Sequence, residues 1–504
     1  MRRALLILAG IAALTWLQFE FVPGHTYLQS DTQVYVPILE KLDSPGLLSR
    51  DLVATHPNVT YTIYDEVTLF LHEALRFDIQ TALVAQQIVF RAAGLLGVLF
   101  LVQSTGVGDL FSSLIAGVVN LGAFLSGPDI SMIGREPTPS GFAFGLVLLA
   151  IGLFAKQKSL LAGLAGGLAF VYDPRVAAPL WLAVLAMLLF DRSVRPLIRP
   201  SLTIFAVFVL LLANLAQLQP GAPDGHGFLE RIAAPIARIE QFRTSYVWVS
   251  TWAARQLWKY LALGLVGFFA ARRIWPTLNR QTRWFAVVLP LIGILSVPAS
   301  YILLERARWF LIPEIQPMQT LAFVVFFAWV TCALAGLQAT EERSWGWALP
   351  LLGIVVSIPL TTFGQKPLAV QHGTLQLADW AEQNTWGGSM FLFPDAGREL
   401  YPGVFRARAQ RAVWVDWETG KQADYFDSFA DEWWRRWQDT MEKAYSERHL
   451  PRLLSLPIDY FVLKRVHELK DTKPVFATDA FVVYDAETLR SASLASPRAL
   501  KRED

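Results

Sequence analysis

The sequence predicts an α-helical polytopic membrane protein with a small C-terminal α/β domain, and three observations predict it. Hydrophobic residues make up 54% of the 504 and charged residues 17%, with a mean hydropathy of +0.37, whereas an ordinary globular chain carries about 25% charged residues. Apolar runs comparable with a hydrocarbon core, which needs roughly 17–25 helical residues, recur as far as residue 363. From Thr374 onward charge and tryptophan content rise, and short strand-like runs alternate with helical ones.

Hydropathy windows place the spans near 4–22, 81–103, 111–128, 139–155, 159–173, 177–191, 201–218, 256–271, 284–303, 318–337 and 345–363, about eleven helices. Arg2 and Arg3, Lys156 and Lys158, Arg192, Arg195 and Arg199, then Arg272, Arg273, Arg280 and Arg283 fall in alternate connections. Positive charge favours the cytoplasmic side, so the N-terminus is expected there, with 23–80, the loop after 218 and the tail from 364 outside. An Arg-Arg start before an apolar core also fits a cleaved signal peptide. No convincing small-x-small cleavage site precedes Phe19, which favours an uncleaved anchor.

The segment 29–80 is too polar to span. Val34, Ile38, Leu39 and Leu42 share one helical face, and Ile63, Val67, Phe70, Leu71, Ala74 and Leu75 share another. Both suit helices lying along a membrane surface, separated by the turn-forming "DSPGLLSRD" and "THPN". Leu229, Ile232, Ile236 and Ile239 mark a third. In the tail, "SMFLFP" (389–394), "AVWVDW" (412–417), "DYFVLKR" (459–465) and "AFVVYD" (480–485) read as strands, with helical "TLQLADWAEQN" and "SFADEWWRRWQDTMEKAYSERHL" between them. The domains expected are therefore 1–363, transmembrane and including the first external loop 23–80, and 364–504, extracytoplasmic.

Several classes are disfavoured. The single cysteine, Cys332, allows no intrachain disulfide. A net charge of +2 gives no sign of nucleic-acid binding, and the chain has no G-x-x-x-x-G-K loop for nucleotide hydrolysis. Pro and Gly interrupt spans around 171–179 and 290–298 without the repeat a transporter would show.

Asp31 with Tyr35, "LDSPGLLSRD", "REPTPSGFAFGL" (135–146), "GLAGGLAFVYDPRVAAPLW", "LADWAEQNTWGGSMFLFPD" and "PIDYFVLKR" together resemble a group of bacterial members of the GT-C superfamily of polyprenyl-phosphate-dependent glycosyltransferases. The resemblance covers most of the chain as architecture plus short motifs. It implies a GT-C-like multi-pass protein of the bacterial inner membrane, with the N-terminus cytoplasmic and the C-terminal domain periplasmic or extracellular. It further implies an inverting enzyme that moves a sugar from a polyprenyl-phosphate donor to a glycan, lipid or protein acceptor at the outer face. Membrane lipid is then a partner, and other membrane subunits could be. Thr32 and Gln33 follow Asp31, so the paired-carboxylate D-x-D pattern is missing; a divalent metal is compatible but not indicated, and no other cofactor is implied.

A lipid phosphate is an adequate leaving group, so the displacement needs mainly a base for the acceptor hydroxyl and cations for the phosphate. Asp31, at the exit of the first span, is the expected base; the plainer alternative is a helix cap. Glu136, in "REP", is the second acidic candidate. Arg135, Arg175, Arg306 and Arg308 lie at external junctions and suit bidentate phosphate contact, unless they anchor at the interface or pair with local carboxylates. His56 and Tyr35 complete the substrate-binding candidates, His56 also fitting a plain turn before Pro57. Expendable carboxylates would instead make the chain a non-catalytic GT-C-like subunit of a larger complex.

Overall fold

The computed structural model describes residues 2–219, 227–365, 372–470 and 472–495, without the side chains of 2–4 and 492–495, so the side chains of Arg2 and Arg3 and part of the loop after 218 lie outside what is described. The chain divides into two compact units. One comprises residues 1–26, 59–232 and 244–366; the other comprises 27–58, 233–243 and 367–504.

The first unit is helical, and each expected span falls on a helix: Arg2–Glu20, Ile79–Gln103, Asp109–Val119, Pro139–Ala155, Ser159–Tyr172, Pro174–Phe190, Arg195–Leu215, Ala254–Arg273, Arg280–Ser300, Leu321–Glu341 and Trp345–Phe363. Among the described residues five stretches, Ile79–Gln103, Arg195–Leu215, Arg280–Arg306, Leu311–Glu341 and Trp345–Phe363, are long and apolar enough to cross a membrane. Only 17% of the apolar window of Arg195–Leu215 is buried, an exposure that water would penalise and lipid does not. The chain is a multi-pass membrane protein.

One span is shorter than expected. The helix anticipated at 111–128 stops at Val119, where Asn120 Nδ2 donates to Ala116 O at 2.9 Å. Gly122 then takes φ +75° and Gly127 φ +108°, backbone states that suit glycine, and a two-stranded antiparallel ladder pairs Phe124–Leu125 with Ile130–Ser131 on either side of Gly127.

The connections sort to two ends of this unit. At one end Arg280 Nε meets Asp191 Oδ2 at 2.6 Å, Asn279 Nδ2 donates to Ala155 O at 2.6 Å, and Arg273 pairs with Glu342. The Lys156, Arg192–Arg199 and Arg272–Arg283 connections are thereby gathered together. At the other end Ile63 N donates to Val171 O at 2.9 Å, Tyr64 Oη to Pro137 O at 2.8 Å and Thr26 N to Arg135 O at 3.1 Å. The alternation read from basic residues is thus a physical alternation in the bundle.

Helices Ile79–Gln103 and Pro139–Ala155 cross at glycine. A Cβ on Gly97 would fall on the carbonyl of Leu148, and one on Gly152 on the carbonyl of Gly97. Small residues let membrane helices approach at backbone distance, where dispersion replaces the absent hydrophobic drive.

In the second unit a five-stranded sheet runs in the order Ala412–Val413, Met390–Leu392, Tyr460–Lys464, Phe481–Asp485, Phe476–Ala477. The first two pairings are parallel and the last two antiparallel. All four expected strands are present, and the edge strand 476–477 and the helix Tyr401–Ala409 are additions. The helix expected from "SFADEWW" onward spans Asp427–Thr440 and stops well before Leu450. Two of its three tryptophans are packing groups: Trp433 and Trp437 are 0% and 3% exposed, with rings stacked 5.6 Å apart.

Segment 27–58 joins this unit through a buried ion cluster. Arg406, 1% exposed, donates from Nε to Asp51 Oδ2 at 2.7 Å and from Nη2 to Asp416. Asp51 also accepts from Val413 N at 3.0 Å, Val53 N at 3.1 Å and Ala54 N at 3.2 Å. Glu40, likewise buried, sits near Arg406 and Arg408, and desolvation holds its carboxyl well above the usual range despite these cations and a bond with Gln410.

Three outcomes are expected. Gly97→Leu, which overpacks a backbone contact, lowers thermal stability in detergent by about 1–3 kcal/mol, whereas Gly353→Leu, with nothing within 4 Å of its Cβ position, does not. Arg406→Met strands two buried carboxylates and costs about 3–5 kcal/mol, read as proteolytic release of the C-terminal unit. Glu40 binds its proton more tightly folded than unfolded, so native stability falls as pH rises above the ordinary glutamate range, by up to about 1.4 kcal/mol per pH unit. Glu40→Gln removes that decline, and melting curves at pH 4 and pH 8 then differ less than in the wild type.

Candidate functional site

The expected site residues divide between the units: Asp31, Tyr35 and His56 belong to the second, Arg135, Glu136, Arg175 and Arg308 to the first.

Asp31 precedes the helix Thr32–Asp43 with φ −64° and ψ −30° and makes no side-chain cap bond. A capping residue needs an extended backbone to turn its side chain back onto the first turn; Asp31 is already helical, so its carboxylate points elsewhere. Its Oδ1 meets Lys421 Nζ at 2.8 Å, with 47% of the side chain exposed. Lys421 also pairs with Glu418 Oε2 at 3.0 Å, because i and i+3 eclipse on the 3₁₀ segment Glu418–Asp424. Arg243 Nη2 reaches Glu418 Oε2 at 3.4 Å. Arg243 and Arg398 both lie over the Trp417 ring, at 4.5 and 4.2 Å from its centroid. Carboxylate, ammonium, second carboxylate and a cation-faced indole thus adjoin one another. Lys421, Glu418 and Trp417 were not singled out for this network by sequence reasoning; the i,i+3 spacing of "ETGK" was the available signal.

Tyr35 stands one turn beyond Asp31, its N–H donating to Asp31 O at 3.0 Å. His56 Nδ1 bonds Leu52 O at 2.9 Å, its ring packs edge-on against Phe426 and Phe429 at 5.9 and 5.7 Å, and its carbonyl accepts from Gln422.

In the first unit Arg175 grips Asp173 bidentately, Nε to Oδ1 at 3.0 Å and Nη2 to Oδ2 at 2.8 Å. Arg308 is exposed, takes φ +52° and forms no ion pair among the described residues. Glu305, a possible partner, instead accepts from Ser250 N at 2.8 Å. Arg135 donates to Gln365 O at 2.5 Å and Thr362 O at 3.4 Å. Glu136, 9% exposed, lines a small cavity together with Gln87 and Arg91. Beside it His25 Nδ1 contacts Gln87 Oε1 at 2.6 Å; burial first, and Arg91 in addition, hold that imidazole below its ordinary pKa.

A carboxyl pair lies at the start of helix Tyr64–Leu75. Burial and the adjoining Glu66 raise Asp65 to about 8, so the pair holds a proton near neutrality. The apolar face expected on this helix is uncovered in part, with Phe70 65% and Leu75 54% exposed and Ile63, Val67 and Leu71 half-buried. Among the described residues no three His, Cys, Asp or Glu side chains are grouped to hold a metal ion.

An apolar groove of about 510 Å³ is lined by residues that include Leu257, Tyr260, Leu261, Ile294, Val297 and Tyr301. It lies between helices Ala254–Arg273 and Arg280–Ser300, where the latter ends in a π-helical turn, Tyr301–Arg306. Arg306, exposed, donates to Tyr301 Oη at 3.0 Å, placing a guanidinium against a groove-lining residue.

No family model and no curated protein matches the chain. Among solved structures it is similar to the arabinofuranosyltransferase AftD from Mycobacteria, at 14% identity and a TM-score of 0.46 over 96% of this chain and 42% of that one. It is also similar to ArnT from Cupriavidus metallidurans bound to undecaprenyl phosphate, at 11% identity and a TM-score of 0.41 over 96% of this chain and 98% of that one. The chain therefore spans less than half the length of the arabinofuranosyltransferase.

Proposed function

We propose that the chain is a membrane glycosyltransferase that moves a sugar, with inversion, from a polyprenyl-phosphate donor to an acceptor at the outer face of the membrane. The observation that carries this reading is the groove: apolar along its length, set between membrane helices and adjoined by Arg306, it offers hydrocarbon contact and a cation to one ligand. A lipid with an anionic head is the chemistry that uses both. Arg308, two residues on and without an ion pair among the described residues, is the second phosphate candidate, and Arg135 and Arg175 follow it.

Asp31 is the proposed base. Uncapped and half exposed, it can accept the proton of an acceptor hydroxyl while the C1–phosphate bond breaks and the phosphate leaves with the bonding pair. Lys421 would hold the carboxylate in place, and Glu136 is retained as the second acidic candidate. The gathered basic connections face the cytoplasm in this reading, and the C-terminal unit lies outside. A second reading is favoured by the same ion pair: a carboxylate already matched by Lys421 suits a non-catalytic subunit.

Asp31→Asn separates the two. The variant keeps shape but cannot take a proton, and transfer from a polyprenyl-phosphate sugar by the purified protein should fall about 10²–10⁴-fold with expression and melting temperature unchanged. Undiminished transfer would remove Asp31 from catalysis; no transfer by the wild type with any such donor would favour the non-catalytic subunit.

A further inference from the structure

Two carboxylates in the second unit share one ammonium. Lys421 Nζ lies 2.8 Å from Asp31 Oδ1 and 3.0 Å from Glu418 Oε2, and it also donates to Ser30 Oγ. Ser30 Oγ is itself 3.4 Å from Asp31 Oδ1 and 3.5 Å from Glu418 Oε2, so three oxygens cluster around a single nitrogen. An ammonium carries three N–H groups, one for each of them. Thr32 and Gln33 offer Asp31 no second carboxylate along the chain; Glu418 supplies one through the fold.

Oxygens bearing two negative charges are the donor set that a hard divalent cation takes. This set does not fit one. Its place between the carboxylates is filled by Nζ, and the carboxylate oxygens stand from that nitrogen at hydrogen-bond distance, whereas Mg²⁺ draws its ligands to about 2.0–2.1 Å and Ca²⁺ to about 2.3–2.6 Å. Charge is matched as well. Arg243 Nη2 approaches Glu418 Oε2 at 3.4 Å, with the two side chains 5% and 12% exposed, so two cations already answer two carboxylates. A metal ion placed among them would meet Lys421 and Arg243 as like charges, with little water to screen Arg243.

We propose that the Lys421 ammonium is the resident cation of the Asp31 site, filling the place between Asp31 and Glu418 that a divalent metal ion would take, with Glu418 as the second carboxylate there. Lys421 and Glu418 are then positioning residues that act through Asp31. The bearing of Lys421 on proton transfer rests on Asp31 as the base; its occupancy of the cation site does not.

The full-length protein in detergent is titrated with Mn²⁺ alone, and bound ion is read from the loss of the free Mn²⁺ signal in electron paramagnetic resonance. Lys421→Ala empties the oxygen cluster and should bind Mn²⁺ about tenfold or more tightly than the wild type. Adding Asp31→Asn or Glu418→Gln to Lys421→Ala should abolish the gain, a response that a merely structural lysine does not give. Should Lys421→Ala fail to fold, Lys421→Gln, which keeps much of the side-chain length, is titrated in its place with the same expected gain. A folded variant of either kind with wild-type Mn²⁺ affinity overturns the proposal. So does Mn²⁺ binding by the wild type that is lost in Asp31→Asn or Glu418→Gln, because the lysine then yields its place to a metal. Should neither Lys421 variant fold, the wild-type titration decides alone: binding that depends on Asp31 or Glu418 overturns the proposal, and its absence supports it. Absence of sugar transfer leaves each of these readouts intact, so the resident cation and the transferase fail separately.

Discussion

The second unit depends on one buried cation. Arg406 has no solvent to turn to, and without Asp51 and Asp416 its desolvation would cost several kcal/mol. Each carboxylate is in turn saturated by backbone: Asp51 by the N–H groups of Val53, Ala54 and Val413, Asp416 by Thr419. The loop after helix Thr32–Asp43, the helix Tyr401–Ala409 and the strand at 412 are therefore fixed by one connected set of bonds. Of these side chains Arg406 alone keeps an N–H group, on Nη1, that meets no acceptor among the described residues, and a network so nearly satisfied favours a single arrangement.

The first unit is built on a different principle. Lipid offers no hydrophobic gain for bringing helices together, so close backbone approach at Gly97, Gly145 and Gly152 and a few polar clasps carry the packing. Some clasps lie at the bundle ends, where Asp191 accepts from Arg280, Trp284 and Ser193, and others within it, where Trp329 Nε1 donates to Val355 O at 3.0 Å. Arg91 departs from this economy, being a full charge placed where the surrounding helices are apolar.

Much of the helical fold was legible because its signal is local. A run of apolar residues is either long enough to span or not, and the spacing of Lys and Arg between runs reports which ends meet. The end of the third helix was not legible from hydropathy, since "NLGAFLSG" is as apolar as a span and only the positive φ of its glycines turns the chain. Four strands could be read from alternation; the two-residue strand at 476 carries no periodicity to read. The sites were less legible for a related reason. Lys421 lies 390 positions from Asp31, and nothing in the residues near Asp31 encodes that partner. Arg91 sits in "QQIVFRAAG", where one charge is compatible with a span, and its acceptors, Gly24 O and Gly134 O, are met only once the chain has closed around it.

The bond between Asp51 and Arg406 joins residues 355 positions apart. During synthesis at about 5–20 residues per second, Asp51 leaves the ribosome roughly 20–70 s before its partner exists. Throughout that interval the segment 27–58 must wait, its helix without a sheet to pack on, while the intervening helices are inserted. Assembly of the second unit is thus a late, post-insertion event. Any chain ending before Asp416 would retain both the membrane bundle and a segment with nowhere to fold, which makes this waiting segment the natural target for chaperones and proteases that inspect nascent membrane proteins.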